Sequence, residues 1–143
     1  NGGGWLHDDL ATFLSGKKYI DFVPKERHIG VEPAGKWIKP SVVLMSEGNY
    51  SDAHMFPVVY KTLGIGKLIG MPVPGTGTAV WWENLQDQSV VFGIPQVGIK
   101  DPEGKYYENN QLEPDYKVVN EYNPMLKGED QQIKEAVKVL LKK

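Results

Sequence analysis

Apolar residues recur at helical spacing over residues 5–15, where Leu6, Leu10, Phe13 and Leu14 share one face and Gly16 supplies a stop. The spacing predicts an amphipathic helix that opens from a glycine turn. Two short strand-like runs follow, over residues 18–23 and 29–38, and Pro24, Gly30, Pro33 and Gly35 break them into an extended excursion or hairpin. Residues 41–45 form the continuous apolar run that a strand buried on both faces requires, ended by Ser46, Glu47, Gly48 and Asn49. Then the period changes. From Ser51 onward Met55, Val58, Val59 and Leu63 fall on one helix face, closed by Gly64, with Pro57 tolerated close to the first turn. The segment therefore predicts strand, tight turn, helix.

Further short strands are predicted over residues 67–71, 79–82 and 89–94, with Pro72, Pro74, Gly75 and Gly77 forming a loop between the first two. Residues 96–99 and 116–119 add extended pieces around turns at 101–104 and 113–115. A last helix opens at Gly128, Glu129 and Asp130, with Ile133, Val137, Leu140 and Leu141 as its buried stripe and lysines at its end, as the helix dipole favours. Trp81 and Trp82 alternate across a strand, which places one in the core and the other on a cleft. No repeat, low-complexity tract or linker divides the chain, so residues 1–143 form one unit.

Composition narrows the function classes. The 143 residues are 41% hydrophobic and 24% charged, enough for a packed core. Sixteen basic residues interleaved with eighteen acidic ones give a net charge of -2, which leaves no footprint for a nucleic-acid partner. No apolar run reaches the roughly eighteen residues of a membrane span. The absence of cysteine excludes thiol nucleophiles and thiolate metal sites and leaves the compartment open. Asp8, Asp9 and Glu47 lack metal-ligand spacing, so no metal and no cofactor are expected. The loop 74–78 lacks the ending of a phosphate-binding loop and is followed by a strand, so it predicts a tight turn.

Ser51 stands where a buried strand hands over to a helix, and there free backbone N–H groups and the positive end of the helix dipole converge. A serine at that corner fits two roles: a helix N-cap, or a nucleophile whose developing oxyanion is met by adjacent N–H groups. Position alone leaves both open. Glu108, between Tyr107 and Asn109, reads by itself as a loop carboxylate.

Residues 46–70, with Ser51, Asp52, Phe56 and Pro57 at their centre, resemble the nucleophile segment of the tail-specific, carboxy-terminal processing serine peptidase superfamily, and its tricorn core protease branch in particular. Three other segments agree in order and spacing. Asn1-Gly2-Gly3-Gly4 resembles the family's glycine loop, residues 108–118 its Glu-Asn-x-Gly-Val-x-Pro-Asp segment, and residues 128–140 its closing helix. The resemblance implies an α/β domain of the crotonase/ClpP-like spiral ββα kind, of which this chain is the carboxy-terminal part, since the glycine run reads as the middle of a loop. It implies a peptide or protein substrate, Ser51 as nucleophile, and an oxyanion hole from the N–H of Asp52 with that of Gly3 or Gly4. A non-catalytic relative that binds peptides or apolar ligands is the alternative. A carbohydrate-binding module, resting on four scattered tryptophans, is the weakest reading. A half-domain with an exposed core face also tends to self-associate into a homo-oligomer.

In the processing enzymes a lysine about two dozen residues after the serine acts as base, and that place falls on Thr76, whose hydroxyl is far too weak a base. The tricorn-type arrangement instead orients a histidine through a chain that includes a glutamate, which Glu108 matches. The matching histidine lies upstream of the glycine loop, so this chain alone is expected to be inactive. His54, one turn below Ser51, is expected on the surface or a cleft wall, and His7 and His28 are expected to face solvent.

Overall fold

A computed structural model of the chain describes residues 2–142; Asn1, the first residue of the expected glycine loop, lies outside them. In order the elements are α1 (His7–Leu14), β1 (Ile20–Phe22), a single 3-10 turn (Pro24–Glu26), β2 (Gly30–Glu32), β3 (Val42–Met45), α2 (Asp52–Thr62), β4 (Lys67–Gly70), β5 (Thr78–Asn84), β6 (Val91–Gly98), β7 (Tyr116–Lys117), α3 (Tyr122–Leu126) and α4 (Gln131–Leu141). The fold is mixed α/β. At its centre β3, β4 and β7 form a parallel sheet in that order, with Val43 opposite Leu68 and Ile69 opposite Tyr116. Helix α2 is the crossover between β3 and β4, as a parallel connection requires.

The excursion after α1 is a small antiparallel pair, β1 with β2. The two strands predicted around residues 79–82 and 89–94 are longer and pair with each other as the β5–β6 hairpin. Its register slips between Ala79 and Val80, where Val80 faces Pro95, a residue without the N–H that a regular ladder needs. Among the described residues no helix is long and apolar enough to cross a membrane.

The core lies between the central sheet and α2. Met45, Tyr60, Leu68 and Val73 are buried together, with Phe56, Ile65 and Leu112 packed on them. Tyr60 is fully enclosed and its hydroxyl shares a 2.7 Å hydrogen bond with Ser41. Burial raises the Tyr60 phenol, against the opposing effect of that bond, so it stays neutral.

Several packing expectations are corrected. Residues 41–45 do not make a strand buried on both faces: Met45 is buried, but Leu44 is exposed. In α2 Met55 and Val58 are buried as expected, whereas Leu63, at the helix end, is exposed. Of the expected stripe of α1 only Leu14 packs on the core; the rest of it and the stripe of α4 turn outward, with Leu6, Leu10, Phe13, Ile133, Val137, Leu140 and Leu141 exposed and Ala11 and Ala136 buried instead. Both alanines are small, which lets α1 approach α2 and α4 approach β3 and β4 closely. Neither Trp81 nor Trp82 enters the core, because the β5–β6 hairpin has exposed residues along most of its length.

Candidate active site

Strand β3 delivers the chain to a tight turn closed by the Asn49 N–H on the Ser46 carbonyl, and α2 begins three residues later. Ser51 is the N-cap residue of α2, with φ 53° and ψ −116°. A non-glycine residue in that region carries about 1–3 kcal/mol of strain. Its hydroxyl makes no capping hydrogen bond, so the side-chain capping role that position alone allowed is not what the serine does. The corner holds the hydroxyl out from the turn; the Ala53 N–H meets the Tyr50 carbonyl and the His54 N–H the Ser51 carbonyl, while that of Asp52 has no backbone acceptor among the described residues.

The glycine turn lies against this corner. A β-carbon on Gly3 would stand 3.5 Å from Ser51 Oγ, and one on Gly4 3.9 Å from Asp52 Oδ2. Gly4 has φ 145°, a conformation that side-chain-bearing residues rarely adopt. Gly4, Ser51 and Asp52 line one cleft of about 230 Å³ together with Trp5, His7 and Trp82. Trp82 thus meets the expectation of a cleft position, though not of a core partner.

His7 is a correction. It is buried, not solvent-facing, and its Nδ1 lies 2.5 Å from Asp52 Oδ1. Asp52 Oδ2 also accepts the Leu6 N–H at 2.9 Å. Burial works to raise the Asp52 carboxyl, but the Leu6 and His7 hydrogen bonds outweigh it and hold the group below the ordinary aspartate value. His28 is exposed, as expected, within 3.3 Å of Asp21.

His54 is not a surface residue: it is 1% exposed. It borders a second cleft, of about 370 Å³, with Val58, Lys61, Tyr107 and Leu112, and is not among the residues lining the Ser51 cleft. Its Nδ1 accepts the Thr76 N–H at 3.2 Å, which leaves the proton of the neutral ring on Nε2, buried and without a partner among the described residues. Burial lowers the His54 pKa. A ring already engaged at Nδ1 and opening away from the Ser51 cleft is poorly placed to take the serine proton.

Thr76 Oγ1 donates to the backbone carbonyls of Pro74 and Asn49, at 3.3 and 3.5 Å. Glu108 is half-buried on a segment docked against the same loop, where the Asn109 N–H meets the Gly75 carbonyl at 2.9 Å and Val73 and Leu112 bond reciprocally. Glu108 itself is not among the residues lining the Ser51 cleft. The structure therefore gathers Gly3, Gly4, Ser51 and Asp52 at one point, and puts Glu108 on a segment docked on the loop that continues into Thr78, a cleft residue.

Two residues of this site had no sequence expectation that matched their role. One is His7. The other is Asn49, 7% exposed, whose Nδ2 donates to the Ala53 carbonyl at 2.9 Å. Ala53 lies four residues before Pro57, so this is the carbonyl that proline leaves without its helical N–H. Pro57 inside a predicted helix was the available clue.

The chain belongs to peptidase family S41, whose sequence profile matches residues 1–118. Among solved structures it is similar to the tricorn protease, with TM-score 0.87 and 24% identity over 98% of this chain and 14% of that one. It is also similar to a protein of Parabacteroides merdae, with TM-score 0.73 and 19% identity over 99% and 50% of the two chains. The photosystem II D1 C-terminal processing protease gives TM-score 0.56 and 17% identity over 83% and 32%. The chain thus spans at most half the length of these structures, and at such identities the likeness concerns the fold. No curated protein sequence matches it.

Proposed function

We propose that this chain is the carboxy-terminal part of a serine peptidase catalytic domain of the tail-specific, tricorn-like type, built on the crotonase/ClpP-like spiral. The observation that carries the proposal is Ser51 itself: a strained, non-capping serine at a helix N-terminus, facing a cleft, with Gly3 against its hydroxyl. Strain of this kind persists only where the surrounding structure enforces it, and it holds the Oγ clear of the helix for attack on a carbonyl.

In the proposed reaction Ser51 Oγ adds to the peptide carbonyl while its proton passes to a histidine supplied by a preceding part of the protein. The oxyanion is met by the Asp52 N–H and by that of Gly3 or Gly4, a pair of fixed dipoles that need no reorganisation as charge develops. Collapse expels the amine, which takes the proton from the histidine, and leaves an acyl-enzyme that water then hydrolyses. Glu108 orients the histidine, as the third member of a triad does. The docking of its segment at Gly75 supports that role, because it ties the carboxylate's backbone to the loop that flanks Ser51. The substrate is a peptide or protein.

Peptide hydrolysis by the full-length protein tests this function. Ser51→Ala is expected to lower kcat by about 10⁴-fold or more, and Glu108→Gln by about 10²-fold or more. Hydrolysis that survives Ser51→Ala would remove the nucleophile assignment. A protein that binds peptides through this cleft and never cleaves them would favour the non-catalytic alternative.

A further inference from the structure

We propose, resting on the nucleophile role of Ser51, that the Asp52 carboxylate and the His7 imidazole form a brace that fixes the spacing of the oxyanion hole. The two halves of that hole come from segments far apart in the chain. Asp52 opens α2, and the glycine turn precedes α1. Among the described residues no backbone-to-backbone hydrogen bond joins the turn to the serine corner. The Asp52 side chain makes the connection, with one oxygen on the Leu6 N–H and the other on His7 Nδ1, across 46 and 45 positions.

Three features suit this pair to positioning. Both side chains are nearly enclosed, at 11% and 12% exposure, so their charge-assisted hydrogen bond is little weakened by water. Trp5 meets the His7 ring edge-on, with centroids 5.0 Å apart, and limits its rotation. Asp52 carries both functions on one residue: its N–H is a donor of the hole, and its carboxylate holds the turn that carries the other donor. A hole opened by about 1 Å loses on the order of a hundredfold in rate. His7 is a positioning residue in this scheme and takes no proton from Ser51.

The experiment compares His7→Leu with His7→Asn in the full-length protein, because asparagine can place an N–H near Nδ1 but cannot serve as a base. The readouts are kcat and KM on a peptide substrate and the rate of Ser51 labelling by a fluorophosphonate. His7→Leu is expected to lower kcat and the labelling rate by about 10- to 100-fold with KM little changed, and His7→Asn to recover most of that loss. Parental kcat in His7→Leu overturns the brace, as does a rise in KM alone. A loss in His7→Asn as deep as in Ser51→Ala also overturns it, by making His7 the base. Should His7→Leu fail to fold, His7→Asn decides: near-parental kcat upholds the brace. A parent enzyme that is never labelled at Ser51 fails the peptidase function itself, which is a separate outcome from labelled parent and equally labelled variants.

Discussion

Asn49 repairs the defect that Pro57 introduces into helix α2, donating its side-chain amide to the Ala53 carbonyl at 2.9 Å. The bond ties the turn before Ser51 to the turn after it, so the corner that presents the hydroxyl is closed on both sides. Losing it leaves a part-buried acceptor unpaired, which costs up to about 1–3 kcal/mol. Asn49→Ala is therefore expected to lower unfolding free energy in urea by that amount, and the double variant with Pro57→Ala to recover part of it, because alanine restores the missing N–H. Additive losses in the double variant would show that the two residues are not coupled.

The conformation of Ser51 predicts an unusual ranking of substitutions. Glycine relieves the positive φ and is also a better N-cap than alanine. Ser51→Gly should be more stable than Ser51→Ala by about 1 kcal/mol in thermal unfolding, although both lack the hydroxyl. Equal melting temperatures, or a more stable alanine variant, would mean that the corner carries no strain.

Gly75 is where the Glu108 segment docks. A β-carbon there would stand 2.3 Å from the Asn110 nitrogen and 2.5 Å from that of Asn109, so the segment must move. Gly75→Ala is expected to cost about 1–3 kcal/mol and to lower kcat by about tenfold or more through displacement of Glu108. Unchanged stability with unchanged kcat would detach Glu108 from the reaction.

His54 makes stability depend on pH. Burial holds its folded pKa below the ordinary 6.5, so below that pH the unfolded chain takes up a proton that the folded one resists. The folded state is fully favoured above the ordinary value and loses stability as pH falls from there toward the depressed pKa, at about 1.4 kcal/mol for each unit of depression. His54→Gln, which keeps an acceptor for the Thr76 N–H, should flatten that part of the curve. Urea unfolding at about pH 7.5 and about pH 5.5 measures it, and parallel curves for parent and variant would contradict the assignment.

Much of the framework could be read from periodicity, because the change from a continuous apolar run to helical spacing at Ser51 is a local property of the chain. The outward residues in the stripes of α1 and α4 show the limit. Periodicity reports which residues share a face, whereas burial depends on what packs there, and Ala11 and Ala136 mark the contacts through their small size. The pairing of His7 with Asp52 joins residues 45 positions apart and leaves no local trace. The burial of His54 could not be read either, since it arises from the 74–78 loop folding back onto α2. By contrast, Ser51, Asp52 and the glycine turn were legible through their resemblance to a family pattern, and the fold brings them together.

The central claim is that Ser51 is the nucleophile. Its most direct test is fluorophosphonate labelling of the full-length protein, with the modified peptide located by mass spectrometry. One stoichiometric adduct on Ser51, absent in Ser51→Ala and accompanied by loss of peptide hydrolysis, is the predicted result. An adduct on another residue, or full hydrolysis with Ser51 unmodified, would contradict it.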